Sequence, residues 1–438
     1  MIIETLIHAE WIIPVVPEGE VLEKHAIAID AGRIIEILPS RDATAKYTAE
    51  SVVELEGHAL IPGLINSHTH AAMSLMRGLA DDLPLMRWLN EHIWPAEGQF
   101  VSEEFVRDGT QLAIAEMLRG GTTCFNDMYF YPDIAGHVAA AAGIRAVVGL
   151  IVIDFPTAWA ADADEYLSKG LKIHDDFRGH SLVKTTFAPH APYTVSDGPL
   201  ESIRNYINEL NIPIHMHLHE TQHEVNEAVE QQGKRPIERL AELNILSPYM
   251  MAIHMTQLND EEIKLIAETG SHIVHCPESN LKLASGFCPV VKLIEAGVNV
   301  ALGTDGAASN NDLNMFSEMR TAALLAKGLS GDASALPAEK ALSMATINGA
   351  KALGIANETG SLEVGKMADI VAIDLNALET QPIYHPISQL VYATDREQVA
   401  HVWVAGKQLL RDRQLTTLDM DDILQRTHEW QKKISKFR

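Results

Sequence analysis

Eight short apolar runs, most ending at a polar residue and each followed by a longer stretch, constrain this chain more than any other feature. They begin at Ile61, Thr122, Arg145, Val183, Ile212, Met250, Ser271 and Val298. Strand-length runs alternating with helical stretches point to parallel βα units. Eight such units predict a closed TIM-type (β/α)8 barrel of the α/β class. The competing fold is an open doubly wound sheet. Its dinucleotide-binding form needs Gly-x-Gly-x-x-Gly after the first strand, and that motif is absent there. In a barrel, residues at the C-terminal ends of different strands meet at one mouth. His68, His70, His190, His217, His254 and Asp305 hold such positions.

The flanks have another texture. Leu6 to Val16 is apolar and β-rich, Ala26 to Ile37 reads as a hairpin turning at Asp30-Ala31-Gly32, and Val52 to Leu55 adds a strand. Ala368 to Asp374 and Val399 to Lys407 return to the same pattern. The expected organisation is a small β-sandwich-like domain built from both termini, residues 1–60 and 366–438, the latter with a C-terminal helix. The barrel, 61–365, is inserted between them. Within it Ser102 is expected to cap a helix that runs to Leu118 and stops at Gly120-Gly121.

Composition narrows the partners. The 438 residues are 47% hydrophobic, enough for a large core and a smaller one. Acidic residues outnumber basic ones 59 to 34, a net charge of -25. That field repels phosphate backbones and anionic membranes, so neither nucleic acid nor membrane is expected as a partner. Three cysteines form no disulfide framework, no apolar run reaches membrane-spanning length, and the first residues do not read as a signal peptide. A cytoplasmic protein is expected.

The chemistry starts at His68-Thr69-His70. On an extended strand, residues i and i+2 share a face, so two imidazoles aim at one point. With 20 histidines in the chain, one such pair is a weak signal by itself. His217 and Asp305 would complete three nitrogens and one oxygen, a set that suits a catalytic zinc. Such a metal lowers the pKa of water toward ~7. Glu220 could carry a proton between water and substrate, and His254 could hydrogen-bond the developing tetrahedral centre.

Each residue also has a structural reading. His217 and His254 could be core histidines, and Asp305 could close a turn. Glu97 could be a solvated loop carboxylate, and Cys276 an inert thiol. His215, His217 and His219 share a strand face, so not all three can be ligands. A serine hydrolase would need Gly-x-Ser-x-Gly, which is absent. A two-metal site bridged by a lysine would need one near His190, and Lys184 lies at the far end of that strand. A barrel retained as a non-enzymatic scaffold would have lost some of the ligand set; this chain lacks none of it.

The segments Pro62-Gly-Leu-Ile-Asn-Ser-His68-Thr-His70, His217-Leu-His-Glu220, His275-Cys-Pro-Glu-Ser-Asn280 and Gly303-Thr-Asp305-Gly-Ala-Ala-Ser-Asn310 resemble the amidohydrolase superfamily. They are most similar to its branch of triazine hydrolases and nucleoside or purine deaminases. Met344 to Ala350 and Gly360 to Asp369 resemble that family's return to the small domain. Within the branch the chain resembles the 5'-methylthioadenosine/S-adenosylhomocysteine deaminases.

The resemblance implies one divalent metal per chain, zinc or else ferrous iron, on His68, His70, His217 and Asp305. It implies catalytic roles for Glu220, His254 and Asp305, and substrate contacts from Glu97, His190, Glu220 and Asp305. Glu97 would bind a ribose, and Leu85, Met86, Trp88 and Trp94 would meet the thioether arm. The implied reaction is hydrolytic deamination of 5'-methylthioadenosine, extending to S-adenosylhomocysteine and adenosine, by a homodimer or homotetramer. The alternative is a deaminase or chlorohydrolase of a free purine, pyrimidine or triazine ring. One departure stands out. The family arginine expected on the third strand is replaced by Gly149-Leu150.

Overall fold

The computed structural model describes residues 1–437. The amino-terminal segment forms β1 (Ile2–Ile12), β2 (Leu22–Asp30), β3 (Arg33–Pro39) and β4 (Thr48–Pro62). The barrel strands are β5 (Leu64–Thr69), β6 (Thr122–Asp127), β7 (Arg145–Val152), β8 (Val183–Pro189), β9 (Ile214–Leu218), β10 (Met250–His254), β11 (His272–His275) and β12 (Val300–Leu302). The chain then adds β13 (Ile370–Asp374), β14 (Val399–Val404), β15 (Lys407–Arg411) and β16 (Gln414–Leu415).

Strands β5 to β12 pair in chain order, all parallel. The seam between β12 and β5 is closed just past β12: Asp305 N–H donates to His68 O at 3.0 Å. Asn66, buried on β5, bonds Thr304 N and Thr304 Oγ1. Gly303 permits this approach, since a Cβ there would lie 2.8 Å from the His68 nitrogen. The eight-strand rhythm is therefore a nearly closed barrel, packed on the inside and wrapped by helices, as both-face burial of parallel strands requires.

The two termini share one mixed sheet, ordered β16-β15-β14-β13-β4-β1-β2-β3. β1 pairs parallel to β4, and β13 closes antiparallel on the other edge of β4. The expected hairpin turn lies between β2 and β3. Only Gly63 separates β4 from β5. A side chain there would collide with Thr123, whose Oγ1 would lie 1.9 Å away. Under the barrel, Arg145 of β7 donates to both carboxylate oxygens of Asp369, at 2.9 and 3.1 Å. The pair is almost wholly buried and ties barrel to sheet.

Ser102 caps the helix Glu103–Arg119, accepting from Phe105 N. The C-terminal helix Met420–Ile434 lies against that barrel helix: Trp430 Nε1 and Arg426 both donate to the buried Asp108. No helix among the described residues is long and apolar enough to cross a membrane.

Candidate active site

His68 and His70 leave β5 on one face, and β9 delivers His217 to the same point. The loop after β12 delivers Asp305. One ligand atom from each of these four lies within 4.8 Å of all the others. Asp305 Oδ1 is 3.4 Å from His68 Nε2 and 3.1 Å from His70 Nε2, and the His68 and His217 Nε2 atoms are 3.2 Å apart. Ligands roughly 2.0–2.1 Å from one tetrahedral ion stand about 3.3 Å from one another, so the spacing fits a cation.

The outer hydrogen bonds agree. His70 Nδ1 meets Met128 O at 2.6 Å and His217 Nδ1 meets His190 O at 2.9 Å. A carbonyl can only accept, so both rings carry the proton on Nδ1 and turn a lone pair inward. Asp305 Oδ2 accepts from Ser279 Oγ at 2.6 Å and Ser309 Oγ at 2.7 Å, which leaves Oδ1 facing the histidines. Burial lowers the His68 pKa to about 4. It works against a charge on His70 as well, yet Asp305 outweighs it and raises that pKa to about 9. The centre is thus built around one positive charge, which a proton supplies when nothing else does. These residues fit a divalent metal.

The strand ends above this cluster are bent into unusual backbone. His219, His254 and Asp305 have φ of 51°, 72° and 60°. Such conformations cost about 1–3 kcal/mol each in non-glycine residues and gather at functional sites. At His219 the bend has a visible result. Its Nδ1 donates to Gln257 O and its Nε2 accepts from Ile237 N, so it braces a loop and cannot serve as a ligand. His215 stays buried inside the barrel beside His68. Of the three histidines in this run, His217 alone joins the cluster.

Glu220 follows directly. Both carboxylate oxygens of the buried Glu224 accept backbone N–H bonds, from His219 and from Glu220 itself. That clamp holds the turn. Burial raises the Glu220 pKa above the usual carboxylate range. Its Oε2 lies 3.9 Å from His254 Nε2. His254 Nδ1 donates to Asn280 Oδ1 at 2.8 Å, so Nε2 is free to accept in the cavity.

Glu220 and His254, with His70, His217 and Asp305, line a cavity of about 220 Å³. Its far wall comes from a helical segment spanning Leu85–Phe100, with a π turn at Leu89–Ile93 just before Pro95. Proline offers no N–H for the α ladder, and a π turn absorbs the mismatch. Glu97, which as a solvated loop carboxylate would have no role, lies in the helix Trp94–Phe100, half-buried on the cavity wall. Tyr129 OH donates to Glu97 Oε1 at 2.8 Å, and burial pushes the Glu97 pKa up to about 7. Leu85, Trp88 and Trp94 line the cavity, whereas Met86 lines the groove beside it.

His190, just past β8, also lines the cavity and is kept neutral by burial, its pKa lowered to about 3. Lys184 pairs with Glu358, at the opposite end of β8 from His190. Cys276 is buried with its thiol pKa pushed up, which suits an inert group.

Tyr129, Glu224, Ser279 and Ser309 are the site residues that sequence reasoning missed. Ser279 and Ser309 lie inside segments already singled out, and Glu224 stands one helical turn beyond Glu220. Tyr129 carries no periodic signal.

Residues 59–409 match the amidohydrolase family. A protein of Teredinibacter turnerae named 5-methylthioadenosine/S-adenosylhomocysteine deaminase is 51% identical over 436 residues, covering 100% of this chain and 99% of that protein. One of the same name from Saccharophagus degradans is 52% identical over 435 residues, covering 99% and 98%. The crystal structure of an adenosine deaminase from Xanthomonas campestris with bound zinc superposes with a TM-score of 0.98 at 51% identity, covering 99% of each chain. In sequence and in fold alike, this chain belongs to the amidohydrolase family.

Proposed function

We propose that this protein is a zinc-dependent hydrolytic deaminase of adenine nucleosides that converts 5'-methylthioadenosine to 5'-methylthioinosine and ammonia. Adenosine and S-adenosylhomocysteine present the same ring to it. The observation that carries the reading is one cavity that joins Glu220, His254 and three members of the metal-type cluster with a further carboxylate, Glu97, on its wall. A carboxylate can accept two hydrogen bonds from a ribose diol. A free base lacks that diol. The names of the relatives and the zinc in the Xanthomonas structure support the same choice.

His68, His70, His217 and Asp305 would hold the metal, which supplies Lewis acidity and lowers the pKa of water toward ~7. Glu220, buried beside His254, takes one proton from the attacking water and delivers it to the ring nitrogen N1, which makes C6 electrophilic. His254 Nε2 accepts from the attacking water and orients it. Asp305, its Oδ2 held by two serine hydroxyls, takes the remaining proton and passes it to the departing amine. The lid segment around Trp88 and Trp94 excludes bulk water. Three unpaired, buried cysteines support a cytoplasmic setting, and a homo-oligomer rests on the resemblance alone.

The test is a panel of kcat/KM values by ammonia release for methylthioadenosine, adenosine, adenine, guanine and a triazine. Nucleosides should exceed free rings by orders of magnitude. Glu97→Ala should erase most of that preference with metal content unchanged, because each charge-assisted bond contributes roughly 1.5–3 kcal/mol. A free ring as best substrate would overturn the reading.

A further inference from the structure

Two of the relatives carry names that join methylthioadenosine with S-adenosylhomocysteine, whose 5' arm ends in a carboxylate and an ammonium group. The cavity of this chain treats those arms differently. Among the described residues, no lysine or arginine lines it. Its ionisable lining consists of Glu97, Glu220 and Asp305, two tyrosines and four histidines, His70, His190, His217 and His254, at or beside the metal-type cluster. The one positive charge belongs to the metal centre, at the ring end.

Away from that end the wall is apolar. Trp94 and Phe155 meet edge to face at 6.5 Å, and Val101, Ile153 and Ala158 also line the cavity. Thr157 Oγ1 is occupied by Tyr166 OH and Trp159 N. At Phe155 and Tyr193 the cavity adjoins a groove of about 860 Å³. Its two cations are already engaged: Arg239 by Asp197 and two carbonyls, Lys234 by Glu242. Asp154, Glu224 and Glu227 line the groove as well, so it is acidic on balance. A carboxylate at the end of a 5' arm would lose water and meet no free cation on either path.

Resting on the nucleoside reading above, we propose that this enzyme selects adenine nucleosides with a short, uncharged, apolar 5' arm and rejects arms that end in a carboxylate. A cavity of about 220 Å³, below the roughly 300–1,000 Å³ usual for ligand sites, suits the shorter arm.

The experiment compares kcat/KM for four nucleosides at constant ionic strength. They are methylthioadenosine, 5'-propylthioadenosine, the 5'-(3-aminopropyl)thio analogue and S-adenosylhomocysteine. The propylthio compound controls for arm length and the amine for the ammonium group. S-adenosylhomocysteine should fall roughly 10²-fold below both controls. A gap under about tenfold overturns the proposal. Ala158→Arg, which places a cation on the apolar wall, should raise the ratio of S-adenosylhomocysteine to propylthioadenosine turnover by about tenfold; an unchanged ratio in the folded variant counts against it. If free rings outrun all four nucleosides, the nucleoside reading itself has failed. If the nucleosides react and the carboxylate makes no difference, only the arm assignment has failed.

Discussion

Buried charge occurs at both ends of the barrel, and the two ends treat it in opposite ways. At the foot, Arg145 and Asp369 face each other fork to fork, with Ser181 O and Ala405 N taking further bonds. Every strong group there has a partner of opposite sign. At the mouth, three imidazole nitrogens and a carboxylate oxygen crowd one point, and no arrangement of protons satisfies them as well as one cation would. A satisfied buried pair holds a fold together. A convergence of lone pairs is a place for chemistry, and the strained backbone at His219, His254 and Asp305 lies at that end.

The contrast can be broken at either end. The largest effect is expected from removing the cation. Exhaustive chelation, or His217→Ala, should cut deamination by more than roughly 10⁴-fold while circular dichroism stays native, because the foot is untouched. Metal content by mass spectrometry should be about one ion per chain before treatment. Full activity in metal-free protein would end the metal assignment. Glu220→Gln should keep the metal yet lower kcat by roughly 10²–10⁴-fold, the range for a proton-transfer residue. Asp369→Ala should do the reverse. Stranding Arg145 should destabilise the fold by about 3–5 kcal/mol in denaturant titration, while the protein that remains folded keeps a near-native kcat.

A smaller effect sharpens the mouth itself. Burial raises the Glu97 pKa to about 7. The ionised form is the better acceptor for a diol, so nucleoside KM should fall as pH rises from 6 to 8. Glu97→Gln should flatten that profile. The smallest effect belongs to Ser309→Ala. It removes one of two donors to Asp305 Oδ2, worth about 1.5–3 kcal/mol if Ser279 does not compensate and less if it does. A drop in kcat at constant metal content would separate positioning of Asp305 from metal retention.

The barrel was legible because strand and helix periods alternate over some 240 residues between Ile61 and Asp305. The metal cluster was legible because its members stand at strand ends, where topology alone brings them together. Other features depend on tertiary contact. The buried Trp430 of the C-terminal helix donates to Asp108 of a barrel helix, a contact that an amphipathic stripe does not reveal. Glu97 reads as a loop residue until Pro95 is seen to begin a helix. Tyr129 matters only because a distant segment brings Glu97 within 2.8 Å of its hydroxyl. Second-layer groups such as Glu224 and Ser279 carry no pattern, since a hydrogen bond needs proximity and not periodicity.

The edge of β4 has a consequence for how the protein is made. β1 to β4 leave a ribosome first, but the partner of His58 to Pro62 is β13, roughly 300 residues later. At about 5–20 residues per second, that edge waits on the order of 15–60 s with its backbone donors and acceptors unpaired. Exposed strand edges of this kind template aggregation. The whole barrel must emerge before the sheet beneath it can be completed, so the segment from β13 onward acts as a clasp on the first strands. A nascent chain stalled before residue 370 would carry an almost complete active site above an open, sticky edge.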